Sequence, residues 1–183
     1  MFQVWVCKQV WGIASDTSPL CPSCRQVPKT CSHILHCPHE GRVEALHTTI
    51  SMLDKWMKLN YTDPDMRECI YEFSMGCRRL LMEEICTENS YDKRYKVMAR
   101  AQDSIGWRRF MEGMVCKEIR AIQHTHSSVT GLRCNTERWG WGRELVTHLL
   151  EVTHGQWLYP NVQVHDRITG MLTTHERRNY KWK

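Results

Sequence analysis

The stretch CPSCRQVPKTCSHILHCPH at residues 21–39 constrains what this chain can fold into more than any other feature. It places four cysteines and three histidines within nineteen positions. Structural zinc takes four ligands in a tetrahedron, drawn from cysteine thiolates and histidine nitrogens. The Cys-x2-Cys pair lets a tight turn direct both sulfurs at one ion, and the His-x3-Cys pair shares one face if that segment is helical. The spacing therefore predicts a zinc site formed by Cys21, Cys24, His33 and Cys37.

Three further residues compete for the same site. Cys31 needs an extended chain to reach an ion held by His33, and His36 lies on the wrong side of a helical turn from His33. His39 can replace a ligand only if the helix ends early. A metal-free or redox-active cysteine cluster and a disulfide arrangement are the alternatives to a zinc site.

Clustered cysteines favour a metal over disulfides in a reducing compartment. Residues 1–15 lack the basic leader and the continuous apolar run of a signal peptide, because Lys8 and Gln9 interrupt them. No segment reaches the roughly 18 uninterrupted apolar residues of a membrane span. We therefore expect an intracellular protein, nuclear or cytoplasmic, with no membrane partner.

The ligand count argues against catalysis. A catalytic zinc keeps an open position for water near a carboxylate that acts as general base, whereas four protein ligands leave no opening. The sequence contains no deaminase motif, P-loop, dinucleotide-binding loop or nucleophile elbow. Asp103, Glu112 and Glu118 fit a solvated helix face better than a set of acid–base groups. We expect a structural zinc and no enzymatic activity.

Apolar spacing predicts a mostly α fold, in which a small zinc-binding lead segment precedes a bundle of about four helices. The first stripe lies within residues 42–59 and repeats every three or four residues: Leu46, Ile50, Leu53 and Met57. The second helix has a clear start, with Thr62 or Asp63 as cap and Pro64 in its first turn. Its stripe is Met66, Ile70, Phe73, Cys77 and Leu80. Cys69 and Cys77 are expected to be small packed side chains.

A third helical segment is predicted over residues 95–124, where Gly106 and Gly113 favour a kink or a close helix contact. Residues 124–138 form the longest polar connection, and we expect a mobile loop there. The fourth helix is predicted to start near Thr136 and to kink or end at Pro160, because proline lacks the N–H. The predicted divisions are a lead-in at 1–20, a CCHC-type zinc-binding segment at 21–40, a helical domain at 41–172 and a basic tail at 173–183.

Charge is unevenly spread along the chain. Residues 1–90 carry a net charge of −2, and residues 91–183 carry +7. A basic half attracts phosphate backbones, although basic residues also simply solvate helix faces. Trp139, Trp141 and Trp157 are candidates for stacking on bases, although such tryptophans are more often core residues. The candidate nucleic-acid-binding residues are Arg138, Arg143, Arg167, Arg177 and Arg178.

The spacing in CPSC…CSHILHC resembles the zinc-binding segment that follows the polymerase region in some eukaryotic non-LTR retroelement proteins. In that pattern an acidic residue and a threonine usually precede the histidine, whereas Lys29 and Thr30 stand here. TDPDMRECI, QDSIGWRRFMEGM and LLEVTHGQWLYPNVQVHDRITGML are similar to recurrent blocks of uncharacterised, transposon-carried proteins of algal genomes. The resemblance covers residues 21–172. It departs at Pro160, where related blocks usually have a basic residue, and no polymerase region precedes the metal-type cluster.

The resemblance implies binding of element nucleic acid, or a role in assembling an element protein. Together with the basic second half, it leads to the hypothesis of a retrotransposon-derived, reverse-transcriptase-associated accessory module. Such a module would hold Zn²⁺ and bind RNA or single-stranded DNA without catalysis, with a polymerase-region protein of the parent element as a further partner. The alternatives are a helical protein–protein interaction module with a purely structural zinc, and a degenerate fragment without function.

Overall fold

The computed structural model of the protein describes residues 20–76, 79–132 and 140–169, and side chains within them except at 31, 32 and 160–169. These residues contain eight helices and no β-strand, which confirms the mostly α prediction. The helices are α1 (Cys31–His36), α2 (Glu40–Leu59), α3 (Pro64–Met75), α4 (Met82–Glu88), α5 (Lys93–Ile105), α6 (Trp107–Met111), α7 (Lys117–Thr130) and α8 (Gly140–Thr169).

The chain divides into two compact units. The described parts of the first unit are residues 20–42 and 157–169, and the second unit spans residues 43–156. The first unit therefore contains the Cys/His cluster, α1, the start of α2 and the end of α8. The second contains α3 to α7 and most of α2 and α8.

The first two predicted helices begin and pack as expected. The stripe of α2 is fully buried: Leu46, Ile50, Leu53 and Met57. Asp63 is the N-cap of α3, where its side chain accepts a hydrogen bond of 3.1 Å from the backbone N–H of Met66, and Pro64 follows it. Capping and apolar period are local signals, so the sequence alone predicts both elements well.

The second predicted helix is shorter than its apolar stripe. It ends at Met75, and α4 forms a separate helix after a break, so Leu80 lies outside both helices and is 38% exposed. Asp103 on α5 stabilises the break, because its carboxylate accepts the first N–H groups of α4, from Met82 at 2.8 Å and Glu83 at 3.0 Å. Such a cap between distant segments leaves no trace in the local sequence.

The third predicted helix is divided into α5, α6 and α7. The breaks fall at the two glycines named above, since Gly106 has φ +90° and Gly113 has φ +86°. Gln102 is fully buried and stabilises the second break: it donates to the carbonyl of Met114 at 3.2 Å and accepts the N–H of Cys116 at 2.9 Å. Left-handed backbone ends a helix rather than kinking it.

One expectation about the later chain is wrong, and one of the two alternatives at Pro160 is excluded. The predicted loop at 124–138 is helical as far as Thr130, because α7 buries Ile122 and Gln123, and it ends at Gly131 with φ +67°. Pro160 does not end α8, which continues to Thr169. Proline removes one hydrogen bond from a helix but has a helical φ, so a long helix can continue through it. Thr136 and Cys77 lie outside the described residues.

Aromatic contacts join helices in the core of the second unit. Phe73 packs edge-on against Phe110 with ring centroids 5.4 Å apart, and the indole N–H of Trp107 donates to the carbonyl of Phe73 at 2.7 Å. Trp56 stacks against Trp141 at 6.2 Å. These contacts connect α3 to α6 and α2 to α8 through side chains that are far apart in sequence.

Candidate metal centre

A tight turn positions the first two cysteines. The backbone N–H of Cys21 donates to Val27 at 2.7 Å, and Arg25 donates back to the carbonyl of Cys21 at 2.8 Å, with Arg25 at φ +56°. A single antiparallel bridge between Leu20 and Pro28 closes the loop. The turn holds the thiols of Cys21 and Cys24 on one side, as the two-residue spacing predicted.

The short helix α1 supplies the other two ligands. Thr30 caps it by accepting a hydrogen bond of 3.1 Å from the N–H of His33. Cys37 follows the last helical residue as C-cap. His33 and Cys37 thus flank one turn of helix, four residues apart, and face the same point.

The four predicted ligands converge. The ligand atoms of Cys21, Cys24, His33 and Cys37 all lie within 4.8 Å of one another, and in the described part of the chain this is the one group of three or more such side chains that could hold a metal ion. The Sγ atoms of Cys21 and Cys37 are 3.7 Å apart, and Cys24 Sγ is 3.3 Å from His33 Nε2. A tetrahedral zinc with Zn–S bonds of about 2.3 Å has S–S edges of about 3.8 Å. The arrangement can hold a metal ion.

Two of the three alternative ligands named from the sequence, His36 and His39, are not in this group. The side chain of Cys31 lies outside the description, and neither His36 nor His39 belongs to the converging set. The ring of His39 lies 6.4 Å from that of Tyr159. The choice of His33 over His36 follows the helical geometry on which the prediction rested.

The environment of the thiols favours charged sulfur at Cys21. Burial alone raises the pKa of Cys21, but hydrogen bonds from the backbone N–H groups of Cys24 and Ser23 outweigh it and lower the pKa to about 6. Burial and the neighbouring sulfur of Cys21 raise the pKa of Cys37 to about 11. The two thiols compete for one negative charge, and a bound cation removes that competition by stabilising both thiolates.

Of the five candidate nucleic-acid-binding residues, the structure describes the side chain of Arg143 alone. Arg143 is exposed on α8. Arg167 lies in the same helix with its side chain outside the description, and the remaining three lie outside the described residues: Arg138, Arg177 and Arg178. Of the tryptophans considered for base stacking, Trp141 is 7% exposed and donates to Thr62 at 2.9 Å, so it is a core residue. Trp157 is 42% exposed, and Trp139 is not described.

Two exposed cations on α7 were not among the residues that the sequence singled out. Lys117 and Arg120 are exposed and one turn apart, so they share a face of α7. The aliphatic part of Arg120 reaches α8, where its Cδ lies 3.9 Å from the position that a Cβ on Gly142 would occupy. Arg143 is the next residue on α8. Three exposed cations therefore lie on α7 and α8 of the second unit: Lys117, Arg120 and Arg143.

Two of the three carboxylates weighed as acid–base groups have structural partners. Asp103 caps α4, and Glu112 pairs with Arg108 at 3.0 Å. Among the described residues, no helix is both long enough and apolar enough to cross a membrane.

Comparison with known proteins gives no relative. No protein-family model matches the chain, and no curated protein or solved structure is significantly similar to it. The function proposed below therefore rests on the geometry of the Cys/His group and on the charge pattern.

Proposed function

We propose that this protein is a non-catalytic, zinc-stabilised helical module that binds nucleic acid. The observation that carries the proposal is the convergence of Cys21, Cys24, His33 and Cys37 within 4.8 Å. Three thiolates and one imidazole are a common ligand set for structural zinc. Four protein ligands fill the tetrahedron, so the proposal assigns the metal a structural role rather than a catalytic one.

The choice of zinc is supported by the chemistry of the ligands. Zinc accepts mixed sulfur and nitrogen ligands in a tetrahedron and has no redox chemistry of its own. The segment at 20–37 has one six-residue helix and one isolated bridge, which leaves it few hydrogen bonds of regular secondary structure. A metal commonly replaces a core in segments of this size.

Metal content and thermal melting test the zinc proposal. We expect full-length protein, purified under reducing conditions, to contain one zinc per chain and to melt at a lower temperature after chelation. Cys116→Ser is the control for loss of a buried cysteine outside the site. Cys116 is buried like Cys37 but lies in the second unit, so this variant should keep its zinc. Protein without zinc, or an unchanged melt after chelation, would contradict the proposal.

Binding of nucleic acid is supported by the basic patch of Lys117, Arg120 and Arg143 and by the net charge of +7 over residues 91–183. Such a patch attracts phosphates and releases counterions, so binding should weaken steeply as salt rises. The retroelement origin suggested by the Cys-x2-Cys…His-x3-Cys spacing is part of the same proposal, as is a polymerase-region partner from the parent element.

Fluorescence anisotropy with single-stranded RNA and DNA oligonucleotides tests this part. The double variant Lys117→Glu/Arg143→Glu should lower the affinity and reduce the salt slope by about 1.4, from roughly 0.7 per lost phosphate contact. Lys55→Glu/Lys58→Glu changes the charge equally at exposed positions of α2 and is the control. Undetectable binding at low salt with zinc loaded, or equal losses in both double variants, would contradict nucleic-acid binding at this patch.

A second candidate function is protein–protein interaction. Met52 and Leu59 are 44% and 66% exposed on α2, two turns apart on one face. Exposed apolar residues on one helix face are typical of surfaces that other helices cover. Light scattering coupled to size-exclusion chromatography distinguishes the two functions: a dimer that Met52→Glu/Leu59→Glu dissociates supports this candidate, and a wild-type monomer counts against it.

A further inference from the structure

Arg42 is a buried cation in the unit that contains the candidate metal centre. It lies in the first turn of α2, and only 1% of the residue is exposed. Burial of a charged group is unfavourable unless an opposite charge compensates it. The position adds a second cost, because the positive end of the helix dipole repels a cation in the first turn. A negative charge close to Arg42 is therefore needed.

Hydrogen bonding holds the guanidinium against the helix that supplies His33. One terminal nitrogen of Arg42 donates to the carbonyl of Ile34 at 2.6 Å. Ile34 lies in α1, whose last carbonyls have no donor within the helix, so Arg42 caps this end of α1. The capped carbonyl belongs to the residue that follows His33 and precedes Cys37 by three positions.

The ring of Tyr159 lies beside the guanidinium of Arg42. The Cζ atom of Arg42 lies 5.9 Å from the centre of that ring, within the range of a cation–π interaction. Gly41 permits this arrangement, because a Cβ at that position would collide with the hydroxyl group of Tyr159. Arg42 is thus fixed in place from two directions.

The thiols of the Cys/His group are among the groups that favour the charged form of Arg42. Burial lowers the pKa of Arg42, whereas the sulfurs of Cys37, Cys21 and Cys24 act in the opposite direction, together with Tyr159. Three of the four metal ligands therefore lie close enough to favour the charged guanidinium.

We propose that Arg42 is the buried counter-charge of a metal–thiolate centre at Cys21, Cys24, His33 and Cys37. A divalent ion with three thiolates and a neutral imidazole carries a net charge of −1, and the guanidinium brings the sum to zero. This inference rests on the proposed zinc site and adds to it a residue outside the ligand set that strengthens metal binding. Arg42 is a positioning and charge-balancing residue and does not touch the ion.

Titration of the full chain with Co²⁺ under reducing conditions tests the proposal, because the cobalt–thiolate absorption reports binding even in a variant that is unfolded without metal. Arg42→Gln keeps a donor for the Ile34 carbonyl but removes the charge, and Arg42→Lys keeps the charge. We expect Arg42→Gln to weaken Co²⁺ binding by about 10–100-fold, the usual effect of removing a partner outside the ligand set, and Arg42→Lys to weaken it much less.

A second measurement separates charge from hydrogen bonding. Cys24→His reduces the centre to two thiolates and a net charge of zero, so Arg42→Gln should cost less affinity in that background than in the wild type. The inference is overturned if Arg42→Gln binds Co²⁺ like the wild type, if Arg42→Lys loses as much as Arg42→Gln, or if the loss is the same in both backgrounds. If the wild-type chain itself shows no cobalt–thiolate absorption, the zinc proposal is overturned together with the inference about Arg42. If only the Arg42 variants behave otherwise than expected, the inference about Arg42 alone is overturned.

Discussion

Two pairs of buried cysteines lie at almost the same distance in this protein, yet their surroundings give them different chemistry. The Sγ atoms of Cys21 and Cys37 are 3.7 Å apart in the first unit, and those of Cys69 and Cys86 are 3.5 Å apart in the second. Around the first pair stand a third thiol, an imidazole and backbone N–H donors. The second pair connects α3 and α4 inside an apolar core. Distance between sulfurs does not by itself distinguish a metal site from packing.

The pKa values of the thiols do not separate the two pairs, because each pair has one lowered and one raised value. In the first pair the pKa of Cys21 is lowered to about 6 and that of Cys37 is raised to about 11. In the second pair the shared hydrogen bond lowers the pKa of Cys86 and, together with burial, raises that of Cys69. The difference lies in the neighbours, because among the described residues a third thiol and an imidazole converge on the first pair and not on the second. Substitutions should therefore act on metal content in one unit and on packing alone in the other.

The largest effect should come from breaking the metal site. Cys37→Ser should abolish stoichiometric zinc and remove most of the about 10–16 kcal/mol that a structural zinc contributes. Hydrogen exchange followed by mass spectrometry should show loss of protection in residues 20–42. Cys116→Ser should leave the metal content and that protection unchanged. Equal zinc in both variants would remove the distinction between the two groups of cysteines.

The second unit should depend most on a buried carboxylate. Asp63 is 2% exposed, accepts from the hydroxyl of Tyr95 at 2.8 Å and caps α3, while Arg94 and His126 lie 3.7 Å and 3.5 Å from its second oxygen. Asp63→Ala should lower the free energy of unfolding by about 3–5 kcal/mol, because it leaves buried donors unpaired.

Chemical denaturation measures the effect of Asp63→Ala, and zinc content should not change. Asp65→Ala is the control, since Asp65 lies in the same turn of α3 and contributes about 0.5 kcal/mol through the helix dipole. A loss of metal in Asp63→Ala would show that the stability of the second unit determines metal binding.

Gly41→Ala tests packing inside the first unit without touching a ligand. The added methyl group should collide with the hydroxyl of Tyr159 and cost about 2 kcal/mol. Thermal melting with zinc bound measures this, and adding Tyr159→Phe should restore part of the stability. Full stability in the single variant would contradict the close approach of these two residues.

The smallest effect should come from the thiol pair in the core. Cys69→Ala removes one fully buried sulfur and should cost about 1–2 kcal/mol through the cavity left behind. Zinc content should remain that of the wild type. Loss of zinc on this substitution would mean that the second pair also binds metal, and the contrast between the two pairs would fail.

The predictable parts of the fold are those whose signals are local. The stripe of α2 and the cap at Asp63 involve residues within one or two turns of each other. The candidate metal ligands form two short pairs, and the structure brings both pairs together as the spacing predicted. The features that the sequence did not predict depend on residues far along the chain or on the full length of a helix. They are the end of α3, the end of α7 and the continuation of α8 through Pro160.

The site residues follow the same division. Arg143 was a candidate from the sequence, but Arg42, Lys117 and Arg120 did not stand out, because a single cation among 25 basic residues has no distinguishing neighbours. Burial is the property that distinguishes Arg42, and contact between α7 and α8 is what groups the patch. Both are consequences of tertiary structure.

The sequence by itself determined that this protein is mostly helical and that four residues near its start can converge on one metal ion. The reason is that helical period, capping and ligand spacing all act over a few residues. Tertiary structure decided where the helices break and which cation lies beside the thiols. Those outcomes depend on burial and on hydrogen bonds between residues distant in sequence, such as Asp103 with α4, and no short stretch of sequence records them.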